Sequence, residues 1–245
     1  MHFRTFEGQT AMQQIRSASD RGHVQSGWLD SHHSFSFGGY QDPKWMGYSA
    51  LRVINDDRVD PAAGFSPHSH RDMEIISYVL DGSLGHRDST GGGSTLQPGE
   101  LQLMSAGRGI THSEMNASKR DEVHFLQIWI TPNVGGVAPG YQQKPLDHEA
   151  LRKGFSTVVA PAAEDAPFSI HQDARLLIAW PAAGAELTQA LNPKRSHYLH
   201  VARGSIKVGD RELSDGDALM LADESELRLT AETDAELLLF DLPAV

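Results

Sequence analysis

Two short polar stretches carry the chemistry open to this sequence: Pro67-His68-Ser69-His70 and Thr111-His112-Ser113-Glu114. Alternate side chains of an extended strand point the same way, so His68 shares a face with His70 and His112 with Glu114. Two such strands side by side gather three imidazoles and one carboxylate about one point. That N3O set suits a divalent transition metal such as Fe, Cu, Ni, Mn or Zn. One His-x-His pair alone is ordinarily two solvated or hydrogen-bonded histidines; two facing pairs, each beside a glycine-bearing loop, favour a metal centre. The chain has 13 histidines and no cysteine. Disulfides, thiolate ligands, iron–sulfur clusters and a cysteine nucleophile are therefore excluded, and a tightly held metal must use histidines and carboxylates.

The elements that position these residues read as strands. Phe65 to His70 leads into Glu74 to Leu80, apolar on both faces as befits a strand between two layers. Val123 to Ile130 sets His124, Leu126, Ile128 and Ile130 against Phe125, Gln127 and Trp129. Gly91-Gly92-Gly93 lacks the context of a phosphate loop and reads as a hairpin connection. Ala11 to Ala18 reads as a short helix or turn, Gly27-Trp28-Leu29 and His33 to Phe37 as short extended segments, and Asp147 to Lys153 as a short helix. Thr131 to Pro145, with three glycines and three prolines, reads as the boundary between two halves.

The halves repeat each other. Tyr198 to Ile206 echoes Ile76 to Leu84, Leu213 to Met220 echoes Leu96 to Leu103, and Glu236 to Phe240 echoes Glu122 to Leu126. Equal steps back from Gly82 and Gly204 put Ala190 and Asn192 where His68 and His70 stand. Leu229 and Ala231 fall near the positions of His112 and Glu114. The second copy is therefore expected to hold no metal and to act structurally. Many short strands with Gly/Pro turns, written twice, imply two packed β-sandwiches or small barrels.

The motifs carry a family resemblance. Gly64 to Gly82 resembles the first cupin motif, and Pro98-Gly99 through His112 the second. Met104-Ser105-Ala106-Gly107-Arg108-Gly109-Ile110-Thr111-His112-Ser113-Glu114 resembles the signature of the pirin family, as do Gly27-Trp28-Leu29, Ser34 to Phe37, Leu51 to Asn55 and Leu239 to Pro243. The resemblance covers nearly the whole chain and is closest to short bacterial pirin-like proteins with quercetin 2,3-dioxygenase activity. It implies an all-β bicupin: residues 1–135 as a metal-binding cupin domain and 136–245 as a cupin-like domain without a metal site. Its metal ligands would be His68, His70, His112 and Glu114. Glu74, the general cupin choice for the fourth ligand, is assigned a supporting or structural role. The implied cofactor is one divalent ion, iron first and Cu, Ni, Mn, Zn or Co as alternatives.

The implied reaction opens the heterocyclic ring of quercetin or a related flavonol with O2 and releases carbon monoxide, with Glu114 accepting the flavonol proton. The alternative within the family is a non-enzymatic, metal- or redox-responsive regulator that binds a protein partner. A metal-dependent cupin isomerase or hydrolase is the weaker third. Among the remaining residues, His86, His124, Gln102 and Gln127 read first as hydrogen-bonded strand residues. Phe35, Phe37, Trp28 and Trp129 read mainly as core. A net charge of -11 argues against a nucleic-acid face or attraction to an anionic membrane. No apolar run is long enough to span a bilayer, and Met1 to Glu7 lacks a signal-peptide core, so a cytoplasmic location is expected.

Overall fold

The computed structural model describes residues 12–245. In the first half, β2 (Gly22–Ser26), β3 (Leu29–His33), β4 (Leu51–Val59), β6 (Glu74–Asp81), β9 (Glu100–Ser105), β11 (Val123–Ile130) and β12 (Gly140–Pro145) form a seven-stranded sheet. Its order is β12-β9-β6-β11-β4-β3-β2. Facing it, β5 (Gly64–His70), β7 (Leu84–Asp88), β8 (Gly93–Leu96) and β10 (Ile110–Asn116) form a four-stranded sheet ordered β5-β10-β7-β8. The second half repeats the plan. Its large sheet is ordered β1-β20-β17-β22-β15-β13-β14, from β1 (Met12–Arg16), β13 (Ser156–Pro161), β14 (Phe168–Ile170), β15 (Arg175–Ala179), β17 (Ser196–Arg203), β20 (Ala218–Ala222) and β22 (Glu236–Leu242). Its small sheet is ordered β16-β21-β18-β19, from β16 (Glu186–Ala190), β18 (Ser205–Val208), β19 (Arg211–Ser214) and β21 (Glu226–Ala231). The chain is an all-β bicupin.

The repeat is exact enough to pair strands: β6 with β17, β9 with β20, β11 with β22. Gly82 and Gly204 end the first pair with φ +78 and φ +85. A Cβ on Gly82 would sit 2.6 Å from the Glu122 carbonyl oxygen, and one on Gly204 2.8 Å from the Ala235 Cα. Each turn thus needs a residue without a side chain.

The two large sheets pack back to back. On β11, Leu126, Ile128 and Ile130 join the core shared between the halves, with Ile76 and Tyr78 of β6 and Tyr198, Leu238 and Phe240 of the second half. The opposite residues, Phe125, Gln127 and Trp129, face the interior of their own sandwich. Both faces of these strands are therefore buried, which explains their two-sided apolar pattern. Each fully buried Leu, Ile or Phe contributes about 1.5–3 kcal/mol relative to exposure.

Two strands cross the expected boundary at 135/136, which falls in the loop between β11 and β12. β12 pairs with β9 of the first half. β1 pairs with β20 of the second, Met12 opposite Ala222 and Arg16 opposite Ala218. The segment expected as a helix or turn is thus a strand from Met12 to Arg16, followed by a single 3-10 turn at Ala18–Asp20; Ala11 lies outside the described residues. Pairing with a distant partner overrides the local pattern. Gly27-Trp28 is the turn of the β2–β3 hairpin rather than part of an extended segment, and the regular strand ends at His33. Helix α1 (His148–Lys153) forms where expected, with the Asp147 carboxylate accepting from the backbone N–H groups of Glu149 and Ala150. Among the described residues no helix is long and apolar enough to cross a membrane.

His200 on β17 lies on the face shared by the two halves, fully buried, with neither ring nitrogen bonded to a protein group. Burial pushes its pKa down to about 4, with the Arg21 charge acting in the same direction. The unfolded chain binds this proton first. The stabilising contribution is therefore complete above the ordinary histidine pKa of 6.5 and is lost as pH falls toward about 4. The slope is up to about 1.4 kcal/mol per pH unit. His200→Leu should flatten this acid limb, as checked by urea unfolding of both chains between neutral and mildly acidic pH.

Candidate metal centre

The three histidines are brought together by one cross-strand pair and one alternation. β5 and β10 run antiparallel with His68 directly opposite His112, and His70 lies two residues beyond His68 on the same face. Between His112 and Glu114 the register slips, so that Glu114 faces Phe65. The extra residue on β5 is accommodated around Ser66 and Pro67, where a proline without an N–H is tolerated. One donor atom from each of His68, His70 and His112 lies within 4.8 Å of the other two. The ring centroids are 4.5 Å apart for His68–His112, 4.8 Å for His68–His70 and 4.9 Å for His70–His112.

The imidazoles are prepared as ligands. His68 Nδ1 donates to the Ser66 carbonyl at 2.8 Å, which leaves Nε2 with its lone pair. His112 Nδ1 lies 3.1 Å from His86 Nε2, while His112 Nε2 is buried without a protein partner. An orphaned imidazole nitrogen beside two others is the signature of a metal ligand rather than of a satisfied core histidine. Burial holds His112 down to about 3, helped by the His68 and His70 charges, and His70 down to about 4, helped by His68. His70 and His112 are therefore neutral at pH 7, as binding requires. His68 and His70 are partly exposed, so the open side of the cluster meets solvent.

Glu114 follows His112 by two residues and is likewise buried, but its carboxylate stands outside that three-donor cluster. Gln127 Nε2 donates to Oε2 at 2.6 Å, and Ser77 Oγ lies 3.0 Å from Oε1. Burial raises its pKa to about 7, against the lowering effect of these two bonds. Glu74 is elsewhere. The strand alternation starting at His68 is broken at Arg71 to Met73, where Asp72 takes φ 46. Glu74 thereafter shares its parity with Ile76 and Tyr78, toward the second half. It accepts from Ser105 Oγ at 2.8 Å and meets His171 Nδ1 at 3.2 Å. Its role is to tie the halves together.

The interior of the sandwich is polar along one line. Direct cross-strand partners run His33, Asn55, Gln127, Ser77, Gln102 and Gln143 across six strands of the large sheet, with Glu114 bound at its middle. Asp57, two residues from Asn55, is buried, accepts from Ser31 Oγ, and is raised to about 7 by burial and by the nearby Asp56 and Glu114 charges. Ser77, Asn55 and Asp57 escape sequence reasoning; the signal was there in polar residues at alternate positions of otherwise apolar strands. His86 abuts His112, and Gln102 accepts from Tyr141 OH at 3.2 Å. His124 faces the other way, onto Asp56 at 2.6 Å. Of the four aromatics, Trp129 lies edge-on to His70 at 4.9 Å and Phe37 edge-on to Trp129 at 5.2 Å. Phe35 belongs to the core shared by the halves, and Trp28 packs on Phe65. In the second half the corresponding interior is aliphatic, with Leu199, Leu227, Leu229 and Leu237 packed together.

Residues 14–130 match the pirin family, and residues 157–242 match the quercetinase C-terminal cupin domain. A quercetin 2,3-dioxygenase of Escherichia coli K12 is 42% identical, over 94% of this chain and 99% of that protein. The chain belongs to the pirin family. Among solved structures, YhhW from Escherichia coli aligns with a TM-score of 0.91 at 42% identity, covering 96% of this chain and 99% of that one. The bacterial pirin YhhW in complex with nickel(II) aligns at 0.90 and 40% identity, covering 96% and 100%. A relative of this fold thus holds a divalent ion, and the three-histidine cluster suits a single such ion here.

Proposed function

We propose that this pirin is a metal-dependent dioxygenase that opens the heterocyclic ring of quercetin or a related flavonol with O2 and releases carbon monoxide. The observation that carries the reading is the cluster of three imidazoles, one with a buried and unpartnered Nε2, opening on its exposed side beside Trp129 and Phe37. The 42% identity to a protein named for this activity supports the substrate class. His68, His70 and His112 would hold the ion, with Glu114 as fourth ligand after turning one oxygen from Gln127 or Ser77. When bound, a redox-active ion would supply open positions for a chelating flavonol and for O2.

The chain's own residues do the rest. Glu114, buried beside the cluster, would take the flavonol hydroxyl proton. Ser77 and Gln127 aim its carboxylate, and His86 fixes the ring of His112. The edge-on pair Trp129 and Phe37 offers an apolar wall for a flat ring.

Iron is the first expected metal, and the expected location is the cytoplasm. The test is to purify the protein, identify its metal, and follow quercetin loss and carbon monoxide under O2 with wild type, His68→Ala and Glu114→Ala. Turnover confined to wild type supports the enzyme. A fully loaded protein that leaves quercetin intact overturns it. Gln127→Leu, which removes one donor to Glu114, is expected to weaken metal affinity about 10–100-fold, measured by competition with a chromogenic chelator.

A further inference from the structure

A second group of donors lies on the β2–β3 hairpin, at the edge of the first large sheet. His23 and His32 are direct cross-strand partners. Their rings stack with centroids 4.3 Å apart at an interplanar angle of 9°. Asp30 precedes His32 by two residues and so shares its face. Its Oδ1 lies 2.9 Å from His23 Nε2 and 3.6 Å from His32 Nδ1. One donor atom from each of the three lies within 4.8 Å of the others. The strand placement matches the buried cluster, a direct His–His pair across two antiparallel strands with a third donor two residues along one of them. The rings are stacked here and crossed at 54–84° there, so an imidazole must turn for both to meet one ion.

We propose that His23, Asp30 and His32 form a second, solvent-facing site for a divalent first-row transition ion, separate from the His68–His70–His112 cluster. Two histidines and one carboxylate on one face bind such ions while leaving the remaining positions open. The imidazole majority selects Ni, Cu or Zn over Mg or Ca. Asp56, directly opposite His32 on β4, adds no fourth ligand: it is already bound by Arg21 Nη1 at 3.0 Å and His124 Nε2 at 2.6 Å. Water would complete the shell. An ion here clips the outermost strand β2 to β3.

The test counts ions by calorimetry, titrating Zn2+ into the metal-free full chain and into His23→Ala and Asp30→Ala variants. These side chains are at least partly exposed, so folding is expected to survive; circular dichroism checks it. The expected result is one ion fewer per chain in each variant than in wild type, with anomalous density at the nitrogen edge of the His23–His32 stack, beside Asp30 Oδ1, in a zinc-soaked crystal. An ion count unchanged by His23→Ala overturns the proposal. Because the readout is a difference at this hairpin, it stands or falls independently of dioxygenase activity: failure of the buried centre leaves the difference intact, and His68→Ala reports on that centre alone.

Discussion

His112→Ala is expected to abolish metal retention and to lower flavonol turnover by at least about 100-fold, beyond the roughly 10–100-fold cost of losing an outer partner of a metal ligand. His112 is the buried member of the cluster and the one that joins two strands: it faces His68 across the ladder and packs against His86. Without it the donors that remain close together are His68 and His70, both on β5 and both half-exposed. The fold should tolerate the loss. His112 carries an unpartnered buried nitrogen, so deleting it removes a polar liability along with a contact, and the metal-free protein should melt within about 1–2 kcal/mol of wild type. Metal analysis, quercetin turnover and denaturant midpoints in chelator separate the two effects. Wild-type metal content in the variant would show that the cluster is not where the metal sits.

Gly64→Ala is expected to be the most damaging small substitution in the first half. A Cβ there would sit 2.6 Å from the Met115 Cα and closer still to the Glu114 carbonyl oxygen. Both obstacles are backbone, so no rotamer relieves them. β5 and β10 would have to part, and these two strands carry all three clustered histidines and Glu114. Overpacking of this kind costs about 1–3 kcal/mol, and the strained backbone adds about 1–3 kcal/mol, a large share of a stability of about 5–15 kcal/mol. A lowered melting point with weakened metal binding is the expected pair of observations. Gly39→Ala, where a Cβ meets nothing within 4 Å, is the control. A Gly64→Ala chain that melts with wild type would refute the close-approach argument.

What the sequence revealed follows a physical divide between short-range alternation and long-range pairing. His68, His70 and His112 were readable because strand alternation and one ladder are enough to gather them. The repeated halves were readable because turns such as Asp81-Gly82 and Arg203-Gly204 recur in the same context. Alternation misleads where the strand is interrupted: Glu74 stands an even number of residues from His70, yet the turn at Asp72 redirects it to the opposite face. Asp57 was hidden because Asp56, Arg58 and Asp60 beside it make the segment look like a solvated strand end. β1 was hidden altogether, because nothing in Met12 to Arg16 names β20 as its partner.

That strand has a consequence for the order of events during synthesis. β1 is the first strand of the described chain to leave the ribosome, and its partner β20 follows about 200 residues later. At about 5–20 residues per second this is a wait of about 10–40 s. The first sandwich can assemble meanwhile, since β12 closes its edge. A waiting strand with an unpaired edge invites wrong partners, and β1 answers with Gln13, Gln14 and Arg16 among its five residues. Arg16 in the finished protein binds the Ser34 carbonyl at 3.2 Å and Tyr40 OH at 3.1 Å and lies 4.2 Å over the Trp45 ring. The residue that keeps the nascent segment soluble is thus also able to moor it to the first sandwich, holding β1 in place until the strand it belongs to is made.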